Sequence, residues 1–326
     1  MNPTKDPEAM KSTMRNHSLV SVIIIFLNGE AFIEEAIASV FAQTHSIWEL
    51  LLVDDGSTDG SSAIAQQYAQ QYPDRVRYLE HDAHQNRGMS AARNLGICHA
   101  KGDYIGFLDA DDLWLPDKLT QQLEIFKRFP EAAMVYGRAQ IWYSWAAPNC
   151  SLPASQSDYF YDLGVSANSL VYPPSLFEQL LKNKHQTPIP SNALMQCQVF
   201  ELIGQFEEAF CGMYEDQVFF SKIMLHRPIY VADNCWVRYR QHAQSCSVKN
   251  EHQSYYALRW PLVTWWKQYL SDQGIQDADV IQLVDQELWR CRHPRIAPVL
   301  VRLQYYLDRV KHLLQSLVPA STQRLS

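Results

Sequence analysis

The 326-residue chain lacks any long apolar run. Its most apolar stretch, Leu19–Leu27, falls far short of the roughly 20 residues that a membrane-spanning helix needs. It also lacks a basic excess. Lys and Arg total 28 against 35 Asp and Glu, a net charge of −7, which argues against a nucleic-acid partner. Seven cysteines contain no C-x-x-C pair, so reduced, buried thiols are expected rather than a disulfide frame or a zinc site. Residues 1–17 are polar and without a signal-peptide apolar stretch. They read as a loose leader, and the expected location is cytoplasmic. Charged residues are too few, at 19%, for a disordered chain, and 47% apolar residues can fill a substantial core. No internal repeat or low-complexity tract is visible.

From Leu19 the pattern becomes regular. Strands are expected at 19–27, 48–53, 75–79, 104–108 and 132–136, and helices at 30–42, 59–72, 87–99 and 116–129. Asp59 suits a helix cap and Pro116 a first helical turn. Strands apolar on both faces, alternating with helices, predict an α/β fold with a doubly wound, mainly parallel sheet. Beyond Arg138 the rhythm breaks. Segment 138–147 is aromatic and 148–195 is loop-rich. A helix at 215–225 and strands at 229–231 and 235–239 follow, and 138–248 reads as the second half of the same unit. Residues 249–326 read as a helical extension, with helices near 250–270, 276–291 and 296–317.

Ligands of such sheets bind beyond the carboxyl ends of the strands, and acids collect there. "DDGSTDG" follows the second strand, placing Asp54 and Asp55 at its end. One reading is a polar turn with Asp59 as cap. Another is a calcium loop, since Asp55, Ser57, Asp59 and Gly60 fit EF-hand positions, but Gln66 stands where a Glu belongs and a strand precedes. A third has Asp54 and Asp55 accepting hydrogen bonds from a base or ribose.

"GFLDADDLW" ends the fourth strand. Like charges about 4 Å apart repel by about 4 kcal/mol at an effective dielectric near 20. Asp109 and Asp111 point the same way, and a divalent cation with phosphate oxygens would make their proximity tolerable. The alternative is a helix N-terminus enriched in acids.

"NRGMSAARNLG" is either a close-packed amphipathic helix or a ligand segment, with Gly88 for near approach and Arg93 for a phosphate or base carbonyl. In "YEDQ", Glu215 and Asp216 open a helix. Either they answer its dipole, or one faces a cleft as a general base. His242, in "RYRQH", is a candidate metal ligand or a structural histidine.

Taken in order, V-S-V-I-I-x-x-x-N (Val20–Asn28), D-D-G-S-T-D, N-R-G-x-S-x-A-R-N-x-G, F-L-D-A-D-D-x-W and the E-D helix resemble glycosyltransferase family 2, inverting enzymes of the GT-A fold. The resemblance spans residues 18–245. It implies a nucleotide-sugar half (18–137) and an acceptor half (138–248). By it, Asp54 and Asp55 would hold the uracil and ribose of a UDP-sugar, Phe26 and Asn28 would flank the base, and Gly88, Arg93 and Asp109 would serve the donor. Asp109, Asp111 and His242 would meet Mg²⁺ or Mn²⁺, and Asp216 would deprotonate an acceptor hydroxyl. The acceptor would be a glycan, free or lipid-linked. The Q-x-x-R-W motif of processive synthases is absent, which implies transfer of a single sugar. A binding protein of the same fold without turnover is the competing class. A nucleotidyltransferase would need a Gly-rich basic loop after the first strand, where "FLNGEAF" has one Gly and no basic residue.

Segment 289–313 carries six Lys/Arg against one Asp, with apolar residues on one helical face. It would either pack on the catalytic domain or lie on an anionic membrane surface. No pattern in the sequence sets an oligomeric state.

Overall fold

A computed structural model describes residues 18–145, 157–183, 185–245 and 254–299. It divides into two units, residues 1–250 and 251–326. The first is built on one nine-stranded sheet of order β3-β2-β1-β4-β8-β6-β9-β5, with β7 also on β9. The strands are β1 (Val20–Phe26), β2 (Trp48–Asp54), β3 (Val76–Glu80), β4 (Tyr104–Asp109), β5 (Leu113–Trp114), β6 (Met134–Trp142), β7 (Ser169–Val171), β8 (Leu194–Gln196) and β9 (Ile229–Arg240). Strands β3, β2, β1 and β4 run parallel, as do β6 and β9, whereas β8, β5 and β7 pair antiparallel with their neighbours.

Helices α1 (Ile33–Phe41), α2 (Ser61–Gln71), α3 (Met89–His99) and α4 (Lys118–Arg128) fill the crossovers. Every residue of β1 and β2 is buried, as expected of parallel strands covered on both faces. Full burial of each Val, Ile or Leu there contributes about 1.5–3 kcal/mol. Small residues permit the close layers: a Cβ on Gly96 of α3 would stand 2.5 Å from the Ile23 side chain. In register, Phe26 pairs with Asp54 and Ile25 with Asp109. The carboxyl ends of β2, β1 and β4 therefore finish level, with an acid on either side of β1.

The opposite, amino-terminal ends are laced by one buried carboxylate. Glu49 accepts from Ser21 Oγ at 2.6 Å, Lys101 N at 2.6 Å and Arg77 at 2.8 Å.

The acceptor half departs from the expectation in two places. The two short strands expected at 229–239 are one strand, β9, whose register against β6 shifts around Arg138. Gly137 allows this, because a Cβ there would meet Asn234 O at 2.4 Å and the Trp236 ring at 2.9 Å. The segment read as loop contains β7, α5 (Ser175–Lys182), a short turn at Pro190–Asn192 and β8. Helices α6 (Gln198–Ile203) and α7 (Glu215–His226) complete the unit.

The second unit contains α8 (Tyr255–Asp272) and α9 (Ala278–Arg292), the latter capped by Asp277. Most of the expected third helix, and with it most of the basic segment, lies outside the described residues. Among the described residues no helix is long and apolar enough to cross a membrane.

Candidate active site

The site is assembled where β4 ends. Asp109 Oδ1 accepts from Arg93 Nη2 at 2.9 Å, and the same guanidinium donates through Nη1 to Glu215 Oε1 at 2.8 Å. Arg93 is 1% exposed and lies over the Phe206 ring. A buried cation joined to two carboxylates stays charged, and it ties the end of β4 to the first turn of α7. Burial, offset by Arg93, raises the Asp109 pKa.

Asp216 is next to Glu215. Its Oδ1 accepts from the Gln217 amide at 2.7 Å. Burial first, and the negative charge of Glu215 second, push its carboxyl up to about 7, with Arg93 opposing and Asp109 adding to the rise. A carboxylate poised there can take a proton near neutral pH.

Asp111 and His242 form the other side. Nε2 of His242 stands 2.9 Å from Asp111 Oδ2. Adjacent ligands at right angles on a cation with bonds of 2.0–2.1 Å would be about 3 Å apart, so these two donors are spaced to share one ion. Among the described residues no three His, Cys, Asp or Glu side chains converge as a metal cluster. Two protein donors completed by phosphate oxygens is the arrangement that Mg²⁺ commonly adopts, and the pair fits that role. Asp109 commits one oxygen to Arg93 instead.

Three residues that the sequence reading passed over hold this acidic corner together. Ser191, in the turn before β8, donates to Asp112 Oδ2 and accepts from the Asp109 amide at 3.1 Å. Arg240 donates from its amide to Asp112 Oδ1 at 3.0 Å, from Nε to the Asp111 carbonyl at 2.7 Å, and from Nη2 to Glu35 at 2.7 Å. Its guanidinium lies about equally close to the rings of Phe32, Trp142 and Trp145. Glu35 thus answers Arg240 from α1. Asp112 is fully buried, and desolvation followed by the charges of Asp111 and Asp109 lifts its pKa well above the usual range. The alternating R-x-R-x-H that begins in β9 and runs past its end was the available signal for Arg240.

The acids beyond β2 do different work. Asp54 is 0% exposed and accepts from Ser57 N at 2.8 Å, from Ser62 Oγ and from Tyr78 Oη at 3.0 Å. Its carboxylate thus builds the loop that follows β2. Asp55 accepts from the amides of Arg87 and Gly88 at 2.8 and 2.9 Å, and burial raises its pKa against those bonds.

Gly88 has φ of +89° and its absent Cβ would meet Cys211 Cβ at 3.1 Å. The close approach it permits in the structure is to Cys211. Phe26 is 3% exposed and packs within the core. Asn28, exposed and at φ of +54°, ties the end of β1 to the loop after β2, its Oδ1 accepting from Thr58 N at 2.7 Å. Arg93, buried between Asp109 and Glu215, orders both carboxylates.

A model of the family described as "Glycosyl transferase family 2" matches residues 21–204, more than half of the chain. Glycosyltransferase alr2836 of Nostoc sp., itself uncharacterised, is 43% identical over 108 residues, 33% of this chain and 33% of that protein. TuaG of Bacillus subtilis, named as a candidate teichuronic acid biosynthesis glycosyltransferase, is 45% identical over 108 residues, 32% of this chain and 41% of that one. The match thus spans about a third to two fifths of these relatives' length. Among solved structures, S. aureus TarS 1–349 in complex with UDP-GlcNAc superposes with a TM-score of 0.58 at 18% identity, covering 85% of this chain and 72% of that one. That likeness carries the fold, which is GT-A. Family model and fold agree, and the chain belongs to glycosyltransferase family 2.

Proposed function

We propose that the chain transfers a single sugar from a nucleotide-diphosphate-sugar, a UDP-sugar in the first instance, to a hydroxyl of a glycan or lipid-linked acceptor, with inversion at the anomeric carbon. The observation that carries this reading is the bridge Asp109–Arg93–Glu215, which brings Asp216 to the D-x-D end of β4. Asp216, with its carboxyl pushed up to about 7, takes the acceptor proton as the oxygen attacks. Attack from the face opposite the diphosphate inverts the configuration. Asp111 and His242 would hold Mg²⁺ or Mn²⁺, which when bound supplies Lewis-acid stabilisation to the leaving diphosphate. Asp55 and Asn28, at the β1–β2 edge, are the residues we assign to the nucleoside side, with Asp54 holding their loop. TarS was solved with UDP-GlcNAc, and that supports a UDP-sugar as the first donor to try.

The test is a panel of nucleotide-sugars with Mn²⁺, read by release of nucleoside diphosphate and by thermal shift. A donor that stabilises the protein and turns over, with both lost in Asp111→Asn, is the expected result. Donor binding without turnover towards any hydroxyl acceptor would instead favour the binding-protein class.

A further inference from the structure

Segment 204–214 joins α6 to α7 and delivers Glu215 and Asp216 to the site, yet it forms no helix or strand. Phe206 within it is 4% exposed, so its backbone N–H and C=O need partners inside the protein. One side chain supplies both. Asn94 of α3 accepts at Oδ1 from Phe206 N at 2.9 Å and donates from Nδ2 to Phe206 O at 3.0 Å. Only a carboxamide side chain carries a donor and an acceptor side by side as a peptide group does. Asn94 therefore does for Phe206 what a neighbouring strand would do. Its Nδ2 also reaches Glu208 Oε1 at 3.3 Å, and Ser90, one turn earlier in α3, donates to Phe210 O at 2.7 Å.

The ring so held is a wedge between three elements. Phe206 stacks on Phe219 of α7 with centroids 4.1 Å apart, meets Phe107 of β4 edge-on at 5.4 Å, and lies beneath the Arg93 guanidinium at 5.3 Å. Beside it, the buried Lys222 of α7 donates to Gln205 O at 2.6 Å and to Glu207 Oε1 at 2.8 Å. Glu215, Phe219 and Lys222 stand at i, i+4 and i+7, which is one face of α7. All three are engaged: Glu215 by Arg93, Phe219 by Phe206, and Lys222 by the carbonyl that precedes Phe206. Asp216 lies one residue on from Glu215, about 100° further round the helix. The rotation of α7 that aims Asp216 is therefore set by this face.

We propose that Asn94 is a positioning residue for sugar transfer: by fixing the backbone of Phe206 it seats the ring that supports Arg93 and α7, and so aims Asp216 at the acceptor hydroxyl. This deepens the transferase reading and rests on it. The footing of Asn94 is firm, because Asp55 holds the opening of α3 through the amides of Arg87 and Gly88. Asn94→Ala would leave both backbone groups of Phe206 buried and unpaired. The segment would shift to find water, and the face of α7 that rests on it would turn.

The test compares the full wild-type chain with Asn94→Ala and with the milder Ser90→Ala, each assayed well below its own Tm. Hydrogen exchange is read on peptides spanning 204–222. Transfer is read as kcat and donor KM with Mn²⁺ and the nucleotide-sugar panel, by release of nucleoside diphosphate. In Asn94→Ala, exchange across 204–222 quickens tenfold or more, kcat falls about 10–100-fold, and donor KM stays within threefold. Ser90→Ala moves the same quantities in the same direction by less. Asn94 and Phe206 act through one element, so Asn94→Ala with Phe206→Leu loses little more than the worse single variant. A folded Asn94→Ala with kcat within threefold of wild type overturns the proposal, as does a loss carried by KM, or losses that multiply in the double variant. If Asn94→Ala does not fold, an unchanged kcat in Ser90→Ala overturns it. A wild type that transfers from no nucleotide-sugar defeats the transferase reading instead; exchange then still decides whether Asn94 fixes α7, and an unchanged pattern in Asn94→Ala overturns that too.

Discussion

Asp216→Asn separates charge from shape at the reacting centre. In the wild type the carboxyl is pushed from 3.8 to about 7, mainly by burial and then by Glu215. Between those two pH values the folded protein holds a proton that the unfolded chain has released. Stability is therefore lost as pH rises through that window, and the loss is complete above pH 7. Three units at about 1.4 kcal/mol each give a ceiling of about 4 kcal/mol. The side chain keeps some solvent contact, so we expect about 2 kcal/mol. Asparagine keeps the acceptor oxygen for Gln217 N and carries no charge. The variant should match the wild type near pH 4 and exceed it above pH 7, by about 4–8 °C in Tm at 2–4 °C per kcal/mol. Thermal unfolding at pH 4.5 and pH 8, with chelator present, measures this. Sugar transfer by the same variant should fall at least about 100-fold, and wild-type transfer should climb with pH to a plateau above about 7. A stability gap that does not change with pH, or a variant less stable than wild type at pH 8, would refute the argument that Asp216 is a strained charge.

Arg93→Lys should cost about 3 kcal/mol by urea denaturation, because a point charge cannot serve Asp109 and Glu215 together and one is left buried and unpaired. A loss below 1 kcal/mol would mean that the bridge is not needed. Asp111→Asn should raise the Mn²⁺ concentration required for UDP-dependent thermal stabilisation by about tenfold or more; an unchanged requirement removes Asp111 from the cation. Gly88→Ala forces a side chain to φ of +89° against Cys211 and should cost about 1–3 kcal/mol, seen as a lowered Tm. A neutral result there would show that the loop can rearrange.

The alternation of strand and helix up to residue 136 was legible because parallel crossovers leave apolar runs and caps in plain order. The end of β4 was legible for the same reason: Asp109 and Asp111 follow directly on a buried strand. Less legible was which of two neighbouring residues is held inside the fold. Asp54 and Asp55 both end a strand whose residues are all buried, so no polar–apolar alternation marks which side chain turns inward. Arg93 carries a charge and reads as a ligand residue, yet its partner Glu215 is 122 positions away. Ser191 and Arg240 were missed likewise, since Asp112 meets them across 79 and 128 positions. Such pairings depend on how β8 and β9 insert beside β4 and β6, which local periodicity does not encode. Bulged β9 was split for a related reason: the apolar pattern skips at Asp233 and Asn234, while the backbone continues.

One guanidinium, that of Arg93, serves both the strand that ends in Asp109 and the helix that opens with Glu215 and Asp216. The two banks of the cleft therefore share a single electrostatic hinge. Variation that loosens one bank disturbs the carboxylate held on the other. Divergence in what receives the sugar is then easier to obtain from surfaces outside that hinge, where side chains can be exchanged without altering the charge balance of the reacting atoms.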